Sequence, residues 1–171
     1  STDATAEKYG IYAGDTADGP QGLRMEYTNT TFWPNEVLQA ATWNTELLYE
    51  IGEAVGEECL KNSIDMWLAP GMNIHRSPLG GRNYEYYSED PLIAGKFASA
   101  VTRGVQSQKV AVSVKHFACN NKEANRFASD SRLSERALRE IYLKGFEICV
   151  KDAKPLNIMT SYNKINGVWG H

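Results

Sequence analysis

The sequence predicts an α/β fold, a (β/α)8 TIM-type barrel of which this chain supplies about the first four β/α units. Short buried-strand runs alternate with amphipathic helical stripes, and this alternation is typical of a parallel sheet. Polar residues gather directly after each predicted strand, and barrels hold their functional residues at the carboxyl ends of their strands. A doubly wound sheet is the competing architecture, but no glycine-rich phosphate loop follows any predicted strand.

Four short runs are predicted to form the strands. The opening strand lies within residues 10–14 or just before Asp18. The second is residues 64–69, which a Pro-Gly pair follows, and the third and fourth are residues 110–114 and 157–162. A full barrel takes roughly 250 residues, so four such units make about half of one.

Three amphipathic stripes at helical spacing lie between these runs. The first helix is capped by Thr42 or Asn44, the second opens at Pro91, and the third is capped by Ser134. Their apolar residues, in chain order, are Leu47, Ile51, Val55 and Cys59; Ala94, Phe97, Ala98, Val101 and Val105; and Leu138, Ile141, Tyr142, Gly145, Phe146 and Cys149. The cysteines on these apolar faces are expected to be packed free thiols.

The composition of the 171 residues, with a net charge of −3, 42% hydrophobic and 23% charged residues, fits one globular domain. No basic stripe suggests a nucleic-acid partner, and no apolar run approaches the roughly 18 residues that a membrane span needs. The histidines are not spaced as metal ligands, so neither a metal nor another cofactor is expected.

The densest polar segment is residues 80–91, Gly-Gly-Arg-Asn-Tyr-Glu-Tyr-Tyr-Ser-Glu-Asp-Pro. So many charged residues and tyrosines are not typical of a hydrophobic core. They suit a pocket for a polyhydroxylated ligand, because guanidinium and carboxylate groups match vicinal hydroxyls and aromatic faces stack on sugar C–H surfaces. This segment therefore predicts part of a sugar-binding pocket.

The other strand ends carry compatible side chains. Adjacent residues of a strand point to opposite faces, so one of Lys115 and His116 is expected to line the pocket and the other to brace it. Met159, by contrast, is expected in the core. The remaining polar residues at the predicted strand ends are Asp18, Arg24, Asn73, His75, Arg82, Tyr162 and Asn163.

Hydrolysis of a glycoside requires two carboxyl groups, one as general acid and one as nucleophile or base. The candidates near the predicted rim are Asp18, Glu85, Glu89, Asp90 and Glu123. Nothing in the sequence divides any two of them into a protonated and an ionised member. The residues by themselves predict a sugar-binding rim and stop short of a catalytic pair.

Seven motifs, in order and at the right spacing, resemble the β-glucosidase branch of glycoside hydrolase family 3, and the resemblance runs from about Asp15 to the C-terminus. The motifs are Asp-Gly-Pro-Gln-Gly-Leu-Arg at 18–24, Ala-Pro-Gly-Met-Asn at 69–73, the segment at 80–91, Lys-His-Phe-Ala-Cys-Asn-Asn at 115–121, Glu-Ala-Asn-Arg at 123–126, Ser-Glu-Arg-Ala-Leu-Arg-Glu-Ile-Tyr at 134–142 and Met-Thr-Ser-Tyr-Asn at 159–163. The resemblance implies a retaining, exo-acting enzyme that binds a β-linked glucoside or oligosaccharide.

The resemblance also implies which residues bind the sugar in subsite −1. Asp18 is similar to the carboxylate that accepts hydrogen bonds from the 4- and 6-hydroxyls. Arg82, Lys115 and His116 match the residues that hold the 2-, 3- and 4-hydroxyls, and Arg126 matches a guanidinium near the nucleophile. The full set of seven residues is Asp18, Arg24, Arg82, Lys115, His116, Arg126 and Tyr162.

The catalytic carboxylates of the family are not matched in this chain. The nucleophile of the family is an Asp in a Ser-Asp-Trp sequence some thirty residues beyond the residue that Tyr162 resembles, and residues 129–131, Ser-Asp-Ser, are not that motif. The acid/base Glu of the family comes from a following α/β sandwich domain. The resemblance therefore implies that residues 1–171 are the N-terminal part of one barrel domain. The partner that completes the site is the rest of the same enzyme, and the chain alone is expected to be inactive.

Two alternative functions remain open at this point. One is a β-xylosidase of the same family, because Asp18 would still orient a pentose. The other is a non-catalytic sugar-binding module built from half a barrel. A β-N-acetylglucosaminidase is disfavoured, because residues 118–121, Ala-Cys-Asn-Asn, stand where those enzymes carry a His-containing glycine-rich loop.

Overall fold

The computed structural model of the protein describes residues 8–11, 13–26 and 28–170. Four of its strands form one parallel sheet, and three shorter strands form a second sheet. In chain order the strands are β1 (Thr16–Asp18), β2 (Met66–Leu68), β3 (Ala111–Phe117), β4 (Asp130–Ser131), β5 (Asn157–Thr160), β6 (Lys164–Ile165) and β7 (Val168–Trp169).

The main sheet confirms the predicted fold class. Its strand order is β1-β2-β3-β5, so each strand lies beside the strand of the same sheet that precedes it in the chain, and every pair is parallel. A doubly wound sheet reverses its strand order at a switch point, whereas a barrel adds each strand on the same side of the last. The described residues therefore form four successive strands of a barrel-type sheet.

The opening strand is the second of the two predicted alternatives, since β1 ends at Asp18. Residues 10, 11, 13 and 14 are not in a strand, and residue 12 lies outside the described residues. The other three predicted strands are confirmed with slightly different ends. Each strand directs its carboxyl end to the same edge of the sheet, which is the edge where the predicted polar residues lie.

The helices are α1 (Glu36–Ala41), α2 (Thr45–Lys61), α3 (Pro91–Ser107), α4 (Glu135–Ala137) and α5 (Lys144–Ala153). The Asn44 side chain accepts a hydrogen bond from the Leu47 amide and caps α2, whereas Thr42 ends α1. Asp90 caps α3 in front of Pro91. Within the described ranges, no helix has the length and apolar content needed to span a membrane.

The third predicted helix is interrupted. Ser134 caps α4 as predicted, but Leu138–Tyr142 forms a π-helical segment before α5 begins. A π-turn inserts an extra residue into the helical repeat, and so it rotates the face that follows. The apolar stripe therefore divides: Phe146 and Cys149 are buried, while Ile141 is exposed.

The core lies between the sheet and the helices. Helix α3 packs between α2 and α5 and contacts β3, and its apolar residues share one core with buried strand residues, among them Trp67, Val112 and Val114. All three cysteines are buried free thiols, as predicted for Cys59 and Cys149 from their positions on apolar helix faces. This layer supports the strands from one side and leaves their carboxyl ends available for the site.

The second sheet was not predicted, because its strands have only two residues each. β4 pairs with β6, and β6 pairs with β7. β4 lies in the segment that follows β3, and β6 lies just after β5. The small sheet therefore ties together the two loops that carry Arg126 and Tyr162.

Candidate functional site

A cavity of about 700 Å³ lies at the carboxyl end of the main sheet. All four strands of that sheet supply residues to it, either from their last positions or from the loops that follow. The seven residues singled out from the sequence all line it: Asp18, Arg24, Arg82, Lys115, His116, Arg126 and Tyr162. The structure therefore brings the candidate set together, while the contacts of each residue with a ligand stay predictions.

An ion pair between β1 and β3 crosses the floor of the cavity. The Lys115 ammonium donates to Asp18 Oδ1 at 2.5 Å, and the side chain of Lys115 is 3% exposed while that of Asp18 is 43% exposed. Burial raises the pKa of Asp18, but the hydrogen bond and charge of Lys115, together with the Arg24 charge, outweigh it and hold the pKa below its usual value. Asp18 is therefore an ionised acceptor with a lone pair free for a ligand hydroxyl.

A second ion pair lies on the loop after β2, beside the 3-10 turn Asn83–Glu85. The Arg82 Nε donates to Glu85 Oε1, and the Glu85 side chain is almost fully buried. Burial lowers the pKa of Arg82, but the hydrogen bond to Glu85 and the charge of that carboxylate have the larger effect. The pKa therefore lies above its ordinary value, and the guanidinium stays charged. Glu85, one of the candidate catalytic carboxylates, instead holds Arg82 in place.

Lys115 and His116 both line the cavity, so the prediction that one of them faces away from it is wrong. The register between β3 and β5 shifts between Lys115 and Phe117, because Lys115 pairs with Met159 while Phe117 pairs with Thr160. His116 is therefore the extra residue of a β-bulge. A bulge breaks the alternation of side chains and turns successive residues to the same side.

His116 is held as a neutral imidazole. Burial, followed by the charges of Arg82 and Lys115, lowers its pKa to about 2. The Asn120 side chain donates to the Tyr86 hydroxyl at 3.0 Å, and we assign the hydroxyl as donor to His116 Nδ1 at 3.2 Å. With Nδ1 accepting, the imidazole proton is on Nε2, and it is available to a ligand oxygen.

Three other polar residues at the strand ends brace the loops and do not line the cavity. Asn73 makes two hydrogen bonds to the backbone of His116, one accepted and one donated. His75 Nε2 contacts the backbone carbonyls of residues 83 and 86. Asn163 donates to the carbonyl of residue 118 at 3.1 Å. These contacts hold the backbone that carries the cavity residues.

Arg126 joins the two loops that the small sheet connects. Its Nη1 donates to Glu123 Oε1 at 2.6 Å, and its guanidinium carbon lies 5.0 Å from the centre of the Tyr162 ring and 5.0 Å from that of Phe127. The rings of Phe127 and Tyr162 contact each other with their centres 4.6 Å apart. A guanidinium over two aromatic faces fixes the edge of the cavity.

Sequence reasoning missed several residues of the cavity, above all Leu68 and Met159. Met159 was expected in the core, but in the sheet it pairs with Lys115, just as Leu68 pairs with Asp18. Register partners in a parallel sheet point to the same face, so each apolar residue shares the cavity face of its charged neighbour. Only the register could have identified them.

The electrostatics of the cavity suit a ligand with many hydroxyl groups. The carboxylates that line it are Asp18, Glu85 and Glu123, and each is paired with a cation. A general acid needs a carboxyl group whose pKa is raised, usually by burial or by another carboxylate. Among the cavity residues of the described part of the chain, no carboxyl group stands apart from a cation as a separate candidate for this role. The described residues also contain no group of three or more potential metal ligands.

Comparisons with known proteins agree with this geometry. Residues 2–170 match the family model described as Glycosyl hydrolase family 3 N terminal domain. Beta-glucosidase A of Butyrivibrio fibrisolvens is 53% identical over 161 residues, which are 92% of this chain and 19% of that protein. An exo-alpha-(1->6)-L-arabinopyranosidase of Bifidobacterium longum is 46% identical over 174 residues, 95% of this chain and 23% of that protein.

A solved structure is similar over nearly the same length. Beta-glucosidase 3B from Thermotoga neapolitana, in complex with glucose, superposes with a TM-score of 0.93 at 53% identity, over 95% of this chain and 24% of that chain. The chain thus spans about a fifth to a quarter of the length of these relatives.

Proposed function

Because the chain belongs to glycoside hydrolase family 3, we propose that the protein containing it is a retaining, exo-acting β-glucosidase. The terminal glucosyl residue of its substrate binds in the cavity. The observation that supports this most is that seven residues, from the ends of the sheet strands and the loops that follow them, converge on one charged, polar cavity. Two of the similar proteins carry the name β-glucosidase, one of them solved with glucose. No observation favours a β-xylosidase or a module without catalytic activity.

The proposed binding roles follow from the charge of each group. Asp18 accepts hydrogen bonds from the 4- and 6-hydroxyls, because it is ionised and lies half-exposed in the cavity. Arg82, Lys115 and His116 donate to the 2-, 3- and 4-hydroxyls. Contacts to the 2-hydroxyl strengthen as the oxocarbenium-like transition state forms, so these donors assist the reaction as well as binding.

The remaining proposed roles belong to the edge of the cavity. Arg24 lines the Asp18 end, where its guanidinium lies 3.7 Å from Asp18 Oδ2. Arg126 lies near the nucleophile, and Tyr162 approaches both the nucleophile and the ring oxygen. The nucleophile and the acid/base are proposed to come from the rest of the enzyme. This chain would then position the sugar, and carboxylates outside it would form and break the glycosyl ester.

The rest of the barrel is proposed to pack against both outer strands of the sheet, β5 and β1. An apolar groove of about 550 Å³ lies at the β5 edge, lined mainly by Phe117, Leu143, Phe146, Val150 and Ile158. Within the described residues no strand pairs with the outer edge of β5, and an unpaired edge of a parallel sheet needs a cover. Residues 1–171 are accordingly proposed to be the N-terminal part of one barrel domain, which an α/β sandwich domain follows.

The substrate preference tests the proposed function. We expect the complete enzyme to hydrolyse 4-nitrophenyl β-D-glucoside with a kcat/KM roughly 10- to 100-fold above that for the β-D-xyloside or the α-L-arabinopyranoside. The two pentosides lack the 6-hydroxyl and so lose a charge-assisted hydrogen bond to Asp18. A clear preference for either pentoside would contradict the proposal.

His116→Gln is expected to lower kcat/KM about three- to tenfold, the effect of one hydrogen bond to a neutral group. The apparent pKa values that define the acid and basic limbs of the kcat/KM profile should not change. The pKa of His116 is lowered to about 2 by burial and by the neighbouring cations, so the imidazole does not change charge where the enzyme is folded. Profiles of the two proteins on the same glucoside check this, and a limb that moves in the variant would show that His116 titrates in the reaction.

A further inference from the structure

Glu36 is a buried carboxyl group that the proposed binding roles do not use. It is the first residue of α1 and is 1% exposed. Neither of its carboxylate oxygens has a hydrogen-bond partner among the described residues. A buried ionised carboxylate without a partner is strongly unfavourable, so the state of this group requires an explanation.

The neighbours of Glu36 are the charged groups of the cavity floor. α1 packs against the turn Asn83–Glu85. Glu85 and Lys115 both lie close enough to act on its charge, and Glu36 in turn acts on Tyr84 and Tyr87. Glu36 does not line the cavity itself. It therefore lies near the two ion pairs of the floor but outside the cavity.

The two ion pairs of this floor are already balanced without a charge on Glu36. Lys115 and Arg82 are two cations, and Asp18 and Glu85 are their two carboxylate partners. An ionised Glu36 would add a second buried negative charge beside that of Glu85. Burial raises the pKa of Glu36 well above its ordinary value and outweighs the opposing effect of its own backbone N–H, while the Glu85 charge raises the pKa further and the Lys115 charge opposes it.

We propose that Glu36 is a protonated carboxylic acid outside the cavity and a positioning residue that acts on Arg82 through Glu85. A neutral Glu36 leaves the Glu85 carboxylate free to hold Arg82. An ionised Glu36 would repel Glu85 and compete with Asp18 for the Lys115 ammonium, which would displace donors that face the sugar. The effect on sugar binding rests on the proposed function, whereas the protonation state does not.

The protonation state is tested on the complete protein with Glu36→Gln, which keeps the shape and a donor group but cannot ionise. The control is Glu46→Gln, because Glu46 also lies in the first turn of a helix but is exposed. At neutral pH, the infrared carbonyl absorption of a protonated carboxylic acid should be present in the wild type, weaker in Glu36→Gln and unchanged in Glu46→Gln. An unchanged absorption in Glu36→Gln would overturn the proposal.

The pH dependence of stability gives a second measurement of the same group. A carboxyl with a raised folded pKa favours the folded state below its unfolded pKa and loses this contribution as pH rises towards the folded value. Between the unfolded and the folded pKa, the free energy of unfolding of the wild type should therefore fall more steeply with rising pH than that of Glu36→Gln. The difference in slope should correspond to about one proton. Equal slopes in the two proteins would overturn the proposal.

The positioning role is tested by glucose affinity at neutral pH. We expect Glu36→Gln to bind glucose within about twofold of the wild type and Glu36→Ala to bind about tenfold more weakly, because only the second removes buried side-chain volume from α1 where that helix packs against the Asn83–Glu85 turn. In the Glu85→Gln background this difference between the two Glu36 variants should disappear. Equal weakening in both variants would overturn the positioning role. If the wild type binds no glucose, the proposed function fails while the infrared result still decides the protonation state.

Discussion

Asp18→Asn is expected to lower kcat/KM of the complete enzyme on glucosides by roughly 10²- to 10⁴-fold, since each of two charge-assisted hydrogen bonds contributes about 1.5–3 kcal/mol. The same change should reduce the free energy of unfolding by about 2–3 kcal/mol. The reason is that Lys115, 3% exposed, loses its counter-ion. A fully buried broken pair costs about 3–5 kcal/mol, and the half-exposed carboxylate justifies a lower figure.

The double variant Asp18→Asn with Lys115→Met isolates the effect on stability. It removes the buried ammonium together with its partner, so most of the lost stability should return, while kcat/KM stays low because two sugar-binding residues are then missing. Asp152→Asn is the control, because the Lys96–Asp152 ion pair is exposed and should change either quantity very little. A double variant that regained activity with stability would mean that Asp18 acts only on folding.

The acid side of the stability profile gives a further readout of this variant. The pKa of Asp18 is held below its usual value of 3.8, because the interactions with Lys115 and Arg24 outweigh the effect of burial. A depressed folded pKa contributes stability above the unfolded pKa, and the contribution is lost as pH falls through the folded value. The difference in stability between wild type and Asp18→Asn should therefore shrink below about pH 4.

Arg82→Ala is expected to raise KM and to lower kcat/KM by roughly 10- to 150-fold, which corresponds to a charge-assisted hydrogen bond of about 1.5–3 kcal/mol. The change also leaves the buried Glu85 carboxylate without its cation. Arg82→Lys should recover only part of the loss, because an ammonium cannot donate to Glu85 and to a hydroxyl in the fork geometry of a guanidinium. Kinetics on 4-nitrophenyl β-D-glucoside measure both effects.

Glu85→Gln is the matched variant for this experiment. It keeps Arg82 but weakens the contact that holds the guanidinium in place, so we expect a smaller loss of kcat/KM than for Arg82→Ala. If Glu85→Gln abolished activity while glucose still bound normally, Glu85 would have a role in the chemical step that the ion pair does not explain.

Most of the fold could be predicted because short sequence patterns indicate the main strands and helices. The residues of β2, β3 and β5 form apolar runs, and Asp90, Pro91 and Ser134 mark helix starts by capping chemistry that depends on nearest neighbours. The two-residue strands of the small sheet carry no such pattern. They form only because the loops after β3 and β5 meet, which no local signal encodes.

The candidate site divides in the same way. The sequence by itself determined which residues carry the charges and that they follow strands, because residue type and strand periodicity are properties of neighbouring positions. The tertiary structure decided the pairing of Asp18 with Lys115, 97 positions apart, and the inward turn of His116 at a bulge. It also decided the burial of Glu36 near them. Charge pairing, register and desolvation depend on groups that only the folded chain brings into contact.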